Sequence, residues 1–488
     1  MPKLHMEPQN IDCTVSEGTN LMAALQDNRI FLDAPCGGNG KCGKCRVLVD
    51  GQEVLACQVT VESDMTVTLP NHSGLKVLQA GLDIVQTMDP QKEGHLLAFD
   101  IGTTSVVCFL LDGKTGEEIA KSSMLNPQAA FGADVISRIQ AALRGELEQE
   151  TGAIREGMTS LIEQACEMAK IDPAQIGVVS VVGNPAMQQL FLGISPENLA
   201  GVPFAPILTE AKIIPCKDIL PICTNADLLV IPDISGYIGA DTTGCVLSTQ
   251  LYQKEKNTLM VDIGTNGEMV LGNKSRMIAC STAAGPALEG ANIQFGMRGT
   301  DGAIDHVWLE NGQIRYSVIG GGKPQGICGS GLIDAIAVGL KMGLLNKRGR
   351  ILNDNHVFRI TDNIYLTQED IRQVQLAKGA IYAGIFLMAK QLDMEVRDIQ
   401  KVQLAGAFGN YLSPESACRI GLLPEELLDR IEAVGNAAGS GAKMLACDKK
   451  LLSLSQELTE TIEFLELASL PEFSRTFAKA MNFREEFI

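Results

Sequence analysis

Four cysteines fall near the start of this 488-residue chain: Cys36, Cys42, Cys45 and Cys57, in the run CGGNGKCGKCRVLVDGQEVLAC. The gaps of five, two and eleven residues bring four thiols onto one loop and the strand that returns from it. Four converging thiolates are what the two irons of a [2Fe–2S] centre require. Gly37, Gly38, Gly40 and Gly43 let the loop wrap close to inorganic sulfide and aim its amides there, which a Cβ would hinder. A structural zinc site usually shows two CxxC pairs or histidines, whereas this loop has one pair and no histidine on the ligand side.

The elements that must hold these thiols are legible around them. Arg46 to Leu55 reads as two short strands about an Asp50-Gly51 turn, which carries Cys57 back beside the loop. A strand near Ile11–Val15, a helix from Asn20 to about Asn28 capped by Thr19 or Asn20, and a closing strand at Met65–Leu69 complete a small domain over residues 1–72. It resembles the β-grasp fold of plant-type and adrenodoxin-like ferredoxins. Cys57 follows Cys45 sooner than in free ferredoxins, a spacing more like cluster domains built into larger enzymes.

After a linker over residues 73–94, with a short helix expected at Leu75–Met88, the chain carries a second set of chemically informative residues. The strand Leu96–Phe99 runs into Asp100-Ile101-Gly102-Thr103-Thr104-Ser105 and a second strand, Val106–Leu111. About 160 residues later, Thr258–Val261 runs into Asp262-Ile263-Gly264-Thr265-Asn266-Gly267-Glu268 and then Met269–Leu271. A repeated strand, D-I-G-T turn and strand implies two similar halves, 95–257 and 258–488. Each turn puts a carboxylate at a strand end, where it can hold Mg²⁺ or its waters, and offers amides and hydroxyls to phosphate oxygens. Two such hairpins facing each other would clamp a triphosphate.

A third segment, Val402 to Asn410, is an apolar strand entering a Gly406-x-x-Gly409 loop after a long helix near Gln368–Leu392, a pattern that suits an adenosine pocket. Gly435 to Ala442 reads either as an anion-binding helix start or as tight helix packing. There is no Walker A motif and no Rossmann fingerprint in a strand–helix context.

Composition narrows the function classes. The chain is 45% hydrophobic and carries 40 basic against 58 acidic residues, a net charge of −18, which argues against nucleic acid or an anionic lipid surface as partner. No stretch of eighteen apolar residues and no signal-peptide pattern occurs, so a cytoplasmic protein is expected. The remaining cysteines are scattered as reduced, buried thiols would be; Cys216 and Cys223 are too few for a second cluster, and Cys280 and Cys328 read as small core residues beside glycine-rich runs.

Asp100–Ser105, Asp262–Glu268 and Ala405–Asn410 together resemble the phosphate and adenosine motifs of the actin, sugar-kinase and heat-shock-protein ATPase superfamily (ASKHA), a two-lobed α/β fold built from a duplicated ribonuclease-H-like unit. Within it, the runs Val182–Met187, Ala284–Gly290 and Gly326–Gly331, behind a cluster domain, resemble the reductive activators of corrinoid proteins. That resemblance implies reduction of inactive Co(II) to Co(I) in a corrinoid protein of a methyltransferase system, coupled to ATP. It also implies a low-potential electron donor and is compatible with a homodimer.

It assigns Cys36, Cys42, Cys45 and Cys57 to the [2Fe–2S] cluster, and Gly102, Thr103, Thr104, Gly264, Thr265, Asn266 and Gly267 to the phosphates. Gly406 and Gly409 border the adenosine, Asp100 and Asp262 order Mg²⁺ and the attacking water, and Glu268 is a base or a solvated strand-start carboxylate. Measured against the family, the linker leaves no room for an extra middle domain, and the segment Leu451–Leu467 reads as helical. Two alternatives stay open: a redox-sensing kinase or ATPase of the same fold, and an electron-transfer subunit without ATPase activity. Activators of 2-hydroxyacyl dehydratases share the ATPase fold but hold a [4Fe–4S] cluster between subunits, against which the four-cysteine loop speaks.

Overall fold

A computed structural model describes residues 1–8, 10–28, 30, 32, 38, 40, 43, 45–69, 88–89, 94–409 and 411–483, and the side chains of 407 and 408 are not among those described. The helix expected at Leu75–Met88 falls, but for Met88, outside these residues, as do Cys36, Cys42 and Asn410.

The first unit is a five-stranded sheet in the order Ile11–Thr14, Lys3–Glu7, Met65–Thr68, Arg46–Val49, Gln52–Leu55. The first and last segments of the unit pair in parallel, and the other neighbours run antiparallel. Alternation in Lys3–Glu7 turns Leu4 and Met6 inward, where Val47, Val67 and the helix Leu21–Asp27 close over them. Asn20 caps that helix by accepting from the Met22 and Ala23 amides, and its Nδ2 donates to the Cys57 carbonyl at 3.0 Å. Asp50 and Gly51 both take positive φ, 49° and 84°, as a tight two-residue hairpin turn requires.

Residues 95 onward form two six-stranded sheets. The first runs Glu118–Leu125, Ser105–Asp112, His95–Ile101, Ile176–Gly183, Asp227–Val230, Lys212–Pro215. The second runs Ile431–Gly435, Lys401–Ala405, Thr258–Ile263, Gly267–Asn273, Arg276–Thr282, Ile462–Phe464. Each contains a three-strand antiparallel meander whose first strand, the one that runs into D-I-G, pairs in parallel with a crossover strand, which in turn pairs in parallel with a second. The duplicated ribonuclease-H-like unit is therefore present, with the D-I-G turns at equivalent corners.

One strand corrects the sequence reading of the tail. The helix expected through Leu467 stops at Thr461, and Ile462–Phe464 pairs in parallel with Met277–Ala279. A free sheet edge was available there, and its hydrogen bonds outweigh local helix propensity.

The halves meet through the helices Ala240–Thr249 and Ala437–Cys447, which follow the strands Asp227–Val230 and Ile431–Gly435 and share one core with the inner faces of both sheets. They cross backbone to backbone: a Cβ on Gly441 would stand 2.2 Å from the Gly244 carbonyl oxygen. Packing thus explains part of the small-residue run at 435–442. Gly441→Ala is expected to push the helices apart and destabilise the joint by at least about 2 kcal/mol, read as a lower melting temperature of the anaerobic protein.

Candidate functional site

The cluster loop is built by the Asp50-Gly51 hairpin. Arg46 pairs with Leu55, so Cys45 and Cys57 flank one end of the ladder, and the Ala56 amide donates to the Cys45 carbonyl at 2.8 Å. Both thiols are buried, and Gln58 Nε2 lies 3.8 Å from Cys57 Sγ. Gly38 and Gly40 take φ of 82° and 70°; a Cβ on Gly38 would touch the Cys57 Cβ at 3.7 Å, and one on Gly40 would collide with the Gln58 amide at 2.8 Å. Buried thiols beside positive-φ glycines fit a [2Fe–2S] centre, whose other ligands would be Cys36 and Cys42.

The second site lies where the two D-I-G-T hairpins face each other. Each turn is pinned within itself, Gly102 N donating to Ser105 O and Gly264 N to Asn266 O, both at 2.9 Å. Across the gap Thr104 Oγ1 and Thr265 Oγ1 are 3.4 Å apart. Thr103 is held on both sides: Asn184 Nδ2 donates to its hydroxyl at 3.2 Å, and the buried Arg138 guanidinium donates to its carbonyl at 2.6 Å. The cleft encloses about 210 Å³ and is walled by both turns, Asn184, Asp241, Glu268, Glu289, Arg298, Gly406 and Asn436, among others.

Carboxyl groups converge on the cleft floor. Burial pushes Asp100 up to about 7, with the charges of Asp262 and Asp241 adding to it, against a 2.8 Å bond donated by Asn436. Burial raises Asp241 to about 7 and Asp262 to about 6. Glu268 is raised well above its ordinary range by burial and by the charges of Asp241 and Asp262. Cys245 Sγ sits 3.5 Å from Asp262 Oδ2, and burial beside these acids drives its thiol pKa up.

Gly406, at φ +84°, packs beneath the floor; a Cβ there would lie 2.5 Å from Asp262 Oδ1. Gly267 and Gly409 stand off the cleft, the first against Thr282 and Ile381 and the second against the Leu404 backbone.

This chemistry suits a cation-complexed polyphosphate. Among the described residues lining the cleft, Arg298 is the one basic side chain facing several carboxylates, so a bare triphosphate would meet net repulsion. Mg²⁺ usually keeps several waters and takes one or two carboxylates plus phosphate oxygens. Asp100 and Asp262 are placed in the cleft to supply those carboxylates.

A pH dependence follows. The folded-state pKa values of Asp100, Asp241 and Asp262 lie above the unfolded value near 3.9, so the folded protein binds more protons and loses stability as pH rises from about 4 to about 7. Melting temperature in Mg²⁺-free buffer is expected to fall across that window, and Asp100→Asn to flatten the slope.

Sequence reasoning missed Asp241, Cys245, Asn184, Glu289 and Asn436 as site residues. Asp241 is recoverable from the repeat, because Gly239-Ala240-Asp241 opens the helix equivalent to the one that Asn436 caps. Asn184, Glu289 and Asn436 lie in runs singled out for other reasons. Nothing in the sequence marks Cys245.

A ferredoxin-type cluster region followed by a two-lobed ASKHA unit defines the class of protein. Residues 4–66 match the 2Fe-2S iron-sulfur cluster binding domain, 96–254 the RACo middle region, and 256–487 the C-terminal domain of RACo, the ASKHA domain. The corrinoid activation enzyme RamQ of Eubacterium limosum is 34% identical, covering 91% of this chain and 93% of that protein. A [Co(II) methylated amine-specific corrinoid protein] reductase of Methanosarcina barkeri is 26% identical over 79% of this chain and 76% of its own length. A solved reductive activator for corrinoid, iron-sulfur protein superposes with a TM-score of 0.73 and 29% identity, covering 99% of this chain and 98% of the other. The chain belongs to the family of reductive activators of corrinoid proteins. The segment that matches the middle region of that family carries the first D-I-G-T hairpin. Among the described residues no helix is long and apolar enough to cross a membrane.

Proposed function

We propose that this protein restores a corrinoid protein of a methyltransferase system by returning one electron to Co(II), giving Co(I), in a step coupled to ATP hydrolysis. One observation carries the reading: the carboxylates and threonines of both D-I-G-T turns meet across a single cleft, in a chain that also holds a ferredoxin-type cysteine loop. The names of the corrinoid-activating relatives support it.

Cys36, Cys42, Cys45 and Cys57 would hold the [2Fe–2S] cluster, which supplies one-electron chemistry at roughly −400 mV in ferredoxin-type domains. For a cobalt couple lying lower, each ~59 mV of uphill one-electron transfer disfavours product about tenfold. ATP binding and hydrolysis offset that gap by changing the conformation of the pair.

Thr103, Thr104, Thr265 and Asn266, with the backbone of Gly102 and Gly264, receive the phosphates, and Gly406 edges the adenosine. Asp100 and Asp262 would hold Mg²⁺, which would neutralise phosphate charge there, and face the position from which water would attack the terminal phosphate. Glu268 lines the same cleft and is the candidate base for that water's proton. The dry floor of the cleft strengthens each of these contacts.

The test is ATP turnover by the reduced holoprotein under anaerobic conditions. Phosphate release is expected to rise when the Co(II) corrinoid protein from the same organism is added. Turnover indifferent to that protein, with phosphate transferred to a small molecule, would favour a redox-sensing kinase.

A further inference from the structure

Glu289 ends the short turn Pro286–Glu289, and its carboxylate sits where the two hairpins come closest. Thr104 Oγ1 donates to Glu289 Oε2 at 2.7 Å, and Thr265 Oγ1 donates to the same oxygen at 3.1 Å. The other oxygen faces the second turn, 3.7 Å from where a Cβ on Gly264 would be. One carboxylate thus occupies two of the three threonine hydroxyls that the nucleotide reading gives to phosphate. Each hydroxyl has a single proton to donate, so neither can serve Glu289 and a phosphate oxygen at once.

We propose that Glu289 holds the phosphate seat of the nucleotide-free protein as a phosphate mimic, and that the terminal phosphates of ATP bind by displacing it. This deepens the nucleotide reading above and rests on it.

The turn that carries Glu289 lies between two glycines. Gly285 and Gly290 flank it at φ of 77° and 81°. Nothing lies within 4 Å of a Cβ built on Gly285, whereas one on Gly290 would meet the Met297 backbone at 2.5 Å. The second end of the turn lies close against the Met297 backbone, next to Arg298. Glu289, Met297 and Arg298 also wall a second cavity, which reaches Met22 and Gln26 on the helix of the cluster domain. Glu289 therefore borders both the phosphate seat and the cavity that reaches the helix of the cluster domain.

The experiment is anaerobic calorimetric titration of the full-length holoprotein with Mg²⁺ and the β,γ-imido analogue of ATP. Glu289→Gln, of the same shape but uncharged, is expected to bind the analogue about tenfold more tightly than wild type, the size of one charge-assisted hydrogen bond. Glu289→Ala should shift affinity in the same direction and serves if the Gln variant does not fold. The gain should vanish in a Thr104→Val/Thr265→Val background, where the carboxylate has no hydroxyl to hold. Unchanged or weaker binding by both Glu289 variants overturns the proposal, as does a gain that survives removal of the threonines. Loss of ATP hydrolysis at unchanged affinity also overturns it, by putting Glu289 in the chemical step. A wild-type protein that takes no nucleotide fails the underlying reading first, and is recognised because no variant is needed to see it.

Discussion

Asp262→Asn is expected to lower the ATP-dependent formation of Co(I) by about 10²-fold or more, with the cluster spectrum unchanged. Asp262 ends the first strand of the second hairpin, and its carboxyl touches both Cys245 and the space under Gly406. The amide keeps the shape and removes the charge that would attract Mg²⁺ and its waters. Gly406→Ala reaches the same carboxylate from below without altering any ionisable group. Its new Cβ would lie 2.5 Å from Asp262 Oδ1 at a backbone φ of +84°, so Asp262 must move or the turn must. Holding the left-handed φ costs a non-glycine residue roughly 1–2 kcal/mol in addition. Both variants should lose nucleotide-dependent activity together, measured as ATP hydrolysis and as Co(I) absorbance. Wild-type activity in either one would remove Asp262 from the nucleotide site.

Cys57→Ala should produce the opposite separation. Loss of one of four thiolates is expected to leave the protein unable to retain a [2Fe–2S] cluster after reconstitution, with visible absorbance and Co(I) formation lost and nucleotide affinity kept. Cys57 is buried and follows the strand Gln52–Leu55, while the D-I-G-T cleft is built by residues beyond 94, so the nucleotide site should survive. A variant that keeps the visible spectrum would show that Cys57 is not a ligand.

What could be read from the chain beforehand followed a physical division. The cysteine loop and both D-I-G-T turns were legible because their chemistry is local: ligands, glycines and flanking strands are contiguous. The duplicated sheet was legible for the same reason, since each half repeats one strand–turn–strand unit. Asp241 and Glu289 were not, because they reach the cleft from a helix start and a turn remote in sequence from either hairpin. Glu268 was hard to place because strand alternation says which face a side chain takes, not that Asp241 waits on that face. Gly267 and Gly409 belong to the motifs yet serve packing, which only the neighbours Thr282, Ile381 and Leu404 reveal. Ile462–Phe464 followed a helical pattern into a strand because Arg276–Thr282 offered it an edge.

The most direct test mixes the reconstituted, dithionite-reduced protein with the Co(II) corrinoid protein of its own organism and follows Co(I) absorbance anaerobically with and without Mg-ATP. The account predicts Co(I) only when Mg-ATP is present. Co(I) at the same rate without nucleotide, or none while the cluster is intact and ATP is turned over, would contradict it.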